Sequence, residues 1–339
     1  MTSLVIGANG YLGSHVTRQL VTAGDDVRVM VRAGANTIGI DDLAVTRFEG
    51  DIWDDDTLRA AMAGADVVYY CVVDTRGWLR DPAPLFRTNV EGTRNVLNVA
   101  VEPEIASGLK KFVFTSSYAT VGRKPGFVST EDDIADERTL PPYVRSRVQA
   151  EKLVLEYARE RGLPAVAMCV STTYGGTDWG RTPHGAIIAG AAFGKLPFVM
   201  SGIALEAVGV NDAARALILA ADKGRVGERY LISGEMISNA EVARIAADEA
   251  GVPAPAKKLS LPVTYALATM GTVRGRLKGT DEHMSLASLR LMRAEAPVDC
   301  GKAKAELGWQ PGPVEDAVRE AARFWVGLRK ARRAEKTKG

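Results

Sequence analysis

Cysteine and histidine are scarce in this chain of 339 residues, which contains three of each. None of the six has a second Cys or His at the short spacings that zinc sites use, and the cysteines form no closely spaced set. The sequence therefore predicts no metal site and no disulfide framework. We interpret the cysteines as packing residues.

A charge imbalance is also missing. Lys and Arg number 43 and Asp and Glu 41, a formal net charge of +2. This balance gives no overall case for a nucleic-acid or anionic-membrane partner, so a small molecule is the predicted partner. No apolar run is long enough to predict a membrane span, and no targeting pattern precedes the first apolar run. A cytoplasmic location is therefore expected.

The apolar residues, 46% of the chain, occur in the first half as short runs separated by segments of helical length. Nearly continuous apolar strands spaced by helices are typical of βαβ units and of a parallel sheet covered on both faces. The predicted fold class is therefore α/β, with a doubly wound parallel sheet. The predicted strands are 3–6, 26–31, 65–71, 111–115 and 165–170.

The second half breaks this rhythm with a loop-like stretch at 175–185 and a Gly/Pro-rich break at 251–255. We predict that residues 1–171 form the sheet domain and that 172–328 form mainly a smaller C-terminal substrate lobe, with some segments returning to the sheet. The basic run at 329–339 is predicted to be a disordered tail.

Three glycines follow the first predicted strand and precede a helical pattern at 15–23. Glycines at this spacing permit a tight turn close to a pyrophosphate, and the helix N-terminus offers free N–H groups and a positive dipole end. The turn therefore predicts a dinucleotide site, with purely structural glycines as the alternative. The cofactor-binding residues predicted here are Gly7, Asn9, Gly10, Tyr11, Leu12 and Gly13.

Arg32 ends the second predicted strand, where a site for NAD usually carries Asp or Glu. A carboxylate there accepts ribose hydroxyls but repels a 2′-phosphate, whereas a guanidinium pairs with that phosphate. The sequence therefore favours NADP (NADPH) as the cofactor. The alternative is an exposed arginine at a strand end with no ligand.

More motifs follow in register with the glycine turn. With them, the chain resembles the extended short-chain dehydrogenase/reductase family, which has the Rossmann fold, over nearly its whole length. Asp51 and Ile52 look like the adenine-contacting turn, Asn89 looks like the central-helix asparagine, and Ser117 looks like the catalytic serine at a strand end. Residues 143–151 resemble the catalytic helix, and 299–311 resemble the C-terminal motif.

Within the family, the strand-end arginine and the Thr115-Ser116-Ser117 sequence look closest to the dihydroflavonol reductase-like and 3-beta-hydroxysteroid dehydrogenase-like branch. Sugar epimerases are the main alternative branch of the family. The family's Arg-Pro before its Tyr-Gly-Pro loop is replaced here by Cys169-Val170. This departure weakens any transfer of nucleotide-sugar specificity.

The resemblance implies that Tyr143 delivers a proton to the developing alkoxide and that Ser117 holds the carbonyl oxygen. The family's lysine four residues after the tyrosine is Arg147 here, which keeps the cation on the same helix face. Arg147 is expected to bind ribose hydroxyls and lower the pKa of Tyr143, although it does not readily exchange a proton. The alternative is that Tyr143, Ser117 and Arg147 are simply polar residues at the ends of helices and strands, with no catalytic role.

Asn89 is expected to brace the active site from the central helix, because Asn has modest helix propensity and its place there needs a reason. A cap or a solvent-facing amide is the alternative. The family often pairs through the helices that contain Asn89 and Tyr143, so a homodimer is one expected assembly.

Apolar and aromatic residues near the predicted site favour a hydrophobic or aromatic ketone or aldehyde as substrate. They include Trp78, Tyr118, Tyr174, Trp179 and the stretch 259–270, which is either a substrate wall or plain packing. The predicted function is an NADP-dependent ketoreductase acting on a carbonyl/alcohol pair. The alternatives are a nucleotide-sugar epimerase or dehydratase, and a non-catalytic NADP-binding sensor that has lost activity through Arg147.

Overall fold

A computed structural model describes residues 1–122, 126–293 and 296–338. The described residues form twelve strands. In chain order they are β1 (Thr2–Ile6), β2 (Asp26–Val31), β3 (Thr46–Glu49), β4 (Val67–Tyr70), β5 (Lys111–Ser117), β6 (Ala165–Val170), β7 (Thr172–Tyr174), β8 (Val199–Met200), β9 (Ala204–Gly209), β10 (Arg229–Ile232), β11 (Glu235–Ser238) and β12 (Lys258–Leu259).

Helices follow or cover most of these strands. They are α1 (Tyr11–Thr22), α2 (Asp55–Met62), α3 (Ala83–Phe86), α4 (Thr93–Ala100), α5 (Pro103–Ala106), α6 (Pro142–Arg161), α7 (Pro183–Ala192), α8 (Val210–Lys223), α9 (Asn239–Glu249), α10 (Leu261–Lys278), α11 (Leu286–Arg293), α12 (Gly301–Leu307) and α13 (Val314–Lys338). A wide π-helical turn, Arg87–Gly92, joins α3 to α4, and short 3₁₀ turns occupy Tyr118–Thr120 and Glu137–Thr139.

Seven parallel strands form the central sheet in the order β10-β6-β5-β4-β1-β2-β3. Strands β4 and β6 are buried along their whole length because helices cover both faces of the sheet. The strand order reverses between β1 and β4, which is where doubly wound sheets bind ligands. The predicted α/β doubly wound fold is confirmed.

Two apolar layers flank this sheet. The layer on the side of α1 and α8 includes Val16, Leu20 and Leu217, and the layer on the side of α4 and α6 includes Val96 and Leu153. Strand β5 is two residues longer than the sequence predicts, and this extension brings Ser117 to the edge of the sheet.

Outside the central sheet, several strands and helices after β6 form a smaller lobe. It contains a three-stranded sheet, β11-β9-β7, a two-stranded sheet, β12-β8, and a core formed by α7, α9 and α13. Strand β10 comes from the same half of the chain but pairs with β6 in the central sheet.

The last helix continues through residues 329–338, whereas the sequence predicts a disordered tail there. Phe324 and Trp325 anchor α13 in the core of the lobe, and Arg329 stacks over the Phe193 ring at 4.7 Å. Ala, Arg and Lys are good helix formers, so the helix propagates beyond its buried part. None of the described helices has the length and apolar content needed to cross a bilayer.

Candidate active site

The predicted site residues meet because they follow parallel strands. Gly7 follows β1, Arg32 follows β2, Asp51 lies two residues after β3, and Ser117 ends β5. The carboxyl ends of parallel strands share one edge of a sheet, so these residues line the same edge around the switch point. Only the register of the sheet, not closeness in sequence, brings them together.

The glycine turn allows an unusually close backbone approach between β1 and α1. Gly7 has a φ of +84°, and its carbonyl accepts the Gly10 N–H at 3.0 Å. A Cβ on Gly13 would lie 2.3 Å from the Gly7 carbonyl oxygen, closer than any side chain allows. Gly13 is therefore a steric requirement of the turn, and the first turn of α1 has no acidic residue to oppose a pyrophosphate.

The other predicted residues of the turn have different surroundings. Asn9 remains partly exposed, and Leu12 packs against the core. The Tyr11 ring stacks edge-on against His15, and burial raises the pKa of Tyr11, with Asp178 of the lobe adding to the effect. Tyr11 therefore faces the loop after β7, which contains Asp178.

Arg32 is exposed directly after β2, and in the described part of the chain its guanidinium has no ion-pair partner. Asp51 keeps one buried carboxylate oxygen without a hydrogen-bond donor. Ile52 beside it is buried against the helix, and a Cβ on Gly92 would lie 2.4 Å from its Cδ1. The turn after β3 is thus fixed to the helix that carries Asn89.

Ser117 lies beside Tyr143, and hydrogen bonding by its side chain lowers the pKa of the phenol. Ser117 sits at the end of β5, and Tyr143 lies in the first turn of α6, which begins at Pro142. Proline at this position is favourable because the missing N–H has no partner within a helix. Two elements far apart in sequence therefore place the predicted proton donor and the predicted carbonyl-binding hydroxyl beside each other.

Burial raises the pKa of Tyr143, and Asp74 raises it further. The positive charge of Arg147 and the hydrogen bond with Ser117 oppose this rise, but burial dominates. At neutral pH the phenol is consequently protonated. That is the form needed to donate a proton.

Arg147 is buried, with 1% of its surface exposed, and it lies below Tyr143 against the sheet. One Nη2–H donates to the Thr115 carbonyl, and the guanidinium stacks over the Phe114 ring at 5.2 Å. The Nε and Nη1 donors are buried without partners. No carboxylate among the described residues pairs with Arg147, so its charge acts on Tyr143 without being neutralised.

Asn89 is fully buried inside the π-helical turn and uses its whole amide. Its Oδ1 accepts the Asp74 N–H at 2.8 Å, and its Nδ2 donates to the Asp74 carbonyl and to Ser146 Oγ, both at 3.0 Å. Ser146 Oγ in turn donates to the Tyr143 carbonyl at 2.7 Å. Asn89 thus ties the loop after β4 to the first turn of α6.

Sequence reasoning did not assign a role to Glu151, four residues after Arg147 on α6. Its carboxylate is buried and pairs with Arg229 of β10 at 2.9 Å. It also accepts hydrogen bonds from Ser116, Thr120 and the Cys169 thiol. These partners flank Ser117, so Glu151 fixes the strand end that carries it. The signal was present, since an acid eight residues after Tyr143 stays near the helix face that meets the sheet.

The aromatic residues expected near a substrate pack mostly on protein. Tyr118 and Tyr174 are 7% and 3% exposed, and Trp179 stacks edge-on against Phe324 at 4.9 Å. Trp78 stacks on His283 at 4.2 Å. Of this set, only Trp78 lies in the loop that Asn89 holds.

The site fits a nicotinamide dinucleotide. The turn at Gly7–Gly13 leaves room for backbone N–H groups to approach a pyrophosphate. Asp51 offers an unsatisfied acceptor, Arg147 offers unsatisfied donors, and Arg32 offers an unpaired cation. Buried polar atoms without partners are unfavourable, so a ligand that engages them is stabilised.

Comparison with known proteins agrees with this geometry. The model of the "NAD dependent epimerase/dehydratase family" matches residues 3–233. "Sterol demethylase protein B" from Methylococcus capsulatus is 28% identical over 330 residues, covering 96% of this chain and 98% of that protein. A "Putative dihydroflavonol 4-reductase" from Synechocystis sp. is 28% identical over 330 residues, covering 95% and 93%.

A solved structure is also similar. The crystal structure of gox2253 superposes with a TM-score of 0.83 at 33% identity and covers 96% of this chain and 98% of that one.

Proposed function

The chain belongs to the NAD dependent epimerase/dehydratase family, the extended short-chain dehydrogenases/reductases, and from that premise we propose that it is an NADP-dependent ketoreductase. Its substrate is the carbonyl of a hydrophobic or aromatic ketone or aldehyde. The observation that carries the proposal is that Ser117 and the buried charge of Arg147 both act on the Tyr143 phenol.

In this mechanism the residues divide the work. A bound NADPH supplies the hydride. Ser117 donates a hydrogen bond to the carbonyl oxygen, and Tyr143 Oη delivers a proton to the alkoxide as it develops. Arg147 stabilises the phenolate that remains, and Asn89 holds the loop and the helix turn in register. The raised pKa of Tyr143 favours reduction over oxidation at neutral pH.

Cofactor choice rests on Arg32. A guanidinium at the end of β2 attracts the 2′-phosphate of NADP, and no acidic side chain among the described residues pairs with it. Arg147 and Asp51 are assigned to the ribose and the adenine on the basis of their unsatisfied polar atoms.

A hydrophobic substrate agrees with the similar proteins. The names of two relatives refer to a sterol and to a dihydroflavonol, and both matches cover more than nine-tenths of this chain. Replacement of the family's Arg-Pro by Cys169-Val170 argues in the same direction and against a nucleotide sugar.

The test is a fluorescence titration with NADPH and NADH, followed by turnover with hydrophobic ketones, aldehydes and sugar nucleotides. We expect tighter NADPH binding, with the preference reduced about tenfold or more by Arg32→Ser. Tyr143→Phe should lower kcat about 10²- to 10⁴-fold without weakening NADPH binding.

Three results would count against the proposal. Tighter binding of NADH would contradict the assignment of Arg32. NADPH binding without turnover across the panel would favour a sensor. Turnover restricted to sugar nucleotides would favour an epimerase or dehydratase.

A further inference from the structure

Helix α10 has two opposite faces, and only one of them is packed. Thr264 and Ala268 on the inner face are fully buried against a small cluster that includes Leu205 and Leu289. Gly271 and Gly275 continue this face, where an added Cβ would lie 1.9 Å from the Met284 carbonyl and 2.8 Å from the Thr280 carbonyl. The returning chain therefore closes directly on the helix backbone.

The outer face carries a stripe of exposed apolar side chains, which we call the α10 stripe. It consists of Val263, Met270, Val273 and Leu277, which are 46%, 66%, 49% and 82% exposed. At 100° per residue these four positions fall within an arc of about 80°. Single exposed apolar residues are ordinary, but an aligned set on one helix indicates a surface that is covered in use.

Charge around the stripe has one sign. Residues 251–280 contain no Asp or Glu but include Lys257, Lys258, Arg274, Arg276 and Lys278. The guanidinium of Arg80 lies 3.7 Å from the position that a Cβ on Gly279 would occupy, and so adds a further cation at the same end.

The nearest acids cancel this charge only in part. Asp281 accepts the Arg80 backbone N–H at 2.9 Å, and Glu282 lies 3.4 Å from Arg274. Arg276 and Lys278 have no acidic partner among the described residues and lie in the last turn of the helix. The balanced charge of the whole chain thus conceals a local cationic surface.

We propose that the α10 stripe docks the protein on an anionic lipid bilayer, with α10 lying in the plane of the interface. An apolar stripe flanked by Arg and Lys matches the two attractions that hold interfacial helices, burial among acyl chains and pairing with lipid phosphates. A helix on the outside of its lobe presents a convex ridge, which a bilayer accommodates without a complementary groove.

A second copy of the chain fits this surface less well. Two-fold pairing through α10 would bring together two segments that each carry five cations and no anion, and this repulsion opposes the apolar gain. An acidic protein remains as an outcome of the test.

The surface lies close to the candidate active site. His283, shortly after α10, stacks on Trp78, and Trp78 belongs to the loop after β4 that Asn89 holds at Asp74. Docking through α10 would therefore bring this edge of the sheet near the lipid. The docking proposal is independent of the proposed reductase activity.

The experiment is co-sedimentation of the purified full chain with vesicles of phosphatidylcholine alone and of phosphatidylcholine with phosphatidylserine. We expect binding only to the anionic vesicles and release in high salt. Met270→Gln with Leu277→Gln should weaken binding about tenfold, and Arg276→Gln with Lys278→Gln about thirtyfold. The matched control, Val226→Gln with Met236→Gln, removes two exposed apolar side chains elsewhere and should bind normally.

Several results would overturn the proposal. These are absence of vesicle binding, equal binding to neutral vesicles, or equal loss in the control variant. Sedimentation velocity adds one more, since a dimer that the Met270→Gln and Leu277→Gln changes convert to monomer would assign the stripe to a second copy. Binding to an acidic polypeptide but not to vesicles would assign it to a protein partner. The charge variant tests the proposal separately if the apolar variant is poorly folded.

Discussion

Helices α1 and α10 both depend on glycine for close packing, yet they differ in what they leave open. In α1, Gly13 lets the helix meet the backbone of the Gly7 turn, and the free N-terminus points to the carboxyl edge of the sheet. In α10, Gly271 lets the returning chain close one face, and the opposite face exposes an apolar stripe. Helix α1 leaves backbone N–H groups free to bind a small anion. Helix α10 instead leaves apolar side chains exposed, which suit contact with an extended surface.

The difference teaches that closely spaced glycines indicate a ligand site only when they lie between the end of a strand and the start of a helix. Gly7, Gly10 and Gly13 meet both conditions. Gly271 and Gly275 share a close spacing but lie in the middle of a helix, where they serve only packing.

Gly13→Ala should have the largest effect. The new Cβ would lie 2.3 Å from the Gly7 carbonyl oxygen, so the turn must open. We expect the free energy of unfolding to fall by about 3 kcal/mol and NADPH affinity to fall about a hundredfold or more. Denaturant unfolding and fluorescence titration measure the two effects.

Gly327→Ala is the matched control for Gly13→Ala. It lies in α13 with open space where the Cβ would go, so it should be neutral or slightly stabilising. Full NADPH affinity in Gly13→Ala would show that the close approach at the turn does not shape the cofactor site.

Glu151→Gln should destabilise the protein by about 3 kcal/mol, because it leaves the partly buried Arg229 without its charge partner. Glu241→Gln removes a comparable contact from the exposed Arg244 and should change stability by only about 0.3 kcal/mol. Chemical denaturation of both variants compares the buried and exposed pairs directly.

The combined change Glu151→Leu with Arg229→Met should recover part of the lost stability, since no unpaired charge remains. Equal stability of Glu151→Gln and the original protein would mean that the network around Ser117 is not held by this carboxylate.

Gly271→Ala should destabilise the lobe by about 2 kcal/mol, since its Cβ would lie 1.9 Å from the Met284 carbonyl. We expect faster hydrogen exchange within residues 261–293 and unchanged NADPH affinity. A loss of NADPH affinity as large as in Gly13→Ala would erase the distinction between the two helices.

The fold of the first half was predictable from the sequence because its signals are local. A glycine spacing or a strand end can be recognised within a few residues, and the family resemblance adds Asn89, Ser117 and Tyr143, whose roles stay predictions. Contacts that join distant segments were not predictable in this way. Arg229 reaches Glu151 only because β10 returns to the central sheet, and the inner and outer faces of α10 are defined by β9 and α11. Because apolar residues occur on both faces of 259–270, the sequence did not show which face is buried.

Arg147→Met should have the smallest effect, a shift in pH dependence. Burial raises the pKa of Tyr143 and the Arg147 cation opposes that rise, so removing the cation raises the pKa further. Alcohol oxidation needs the phenolate, and its rate increases as pH rises through this pKa. The rising limb should therefore move to higher pH in Arg147→Met and stay near its original position in Arg147→Lys.

Arg145→Met is the control, because that side chain stacks on Phe86 at 5.3 Å and is not among the charges acting on Tyr143. An unchanged limb in Arg147→Met would show that the buried guanidinium serves packing against Phe114 rather than the proton donor.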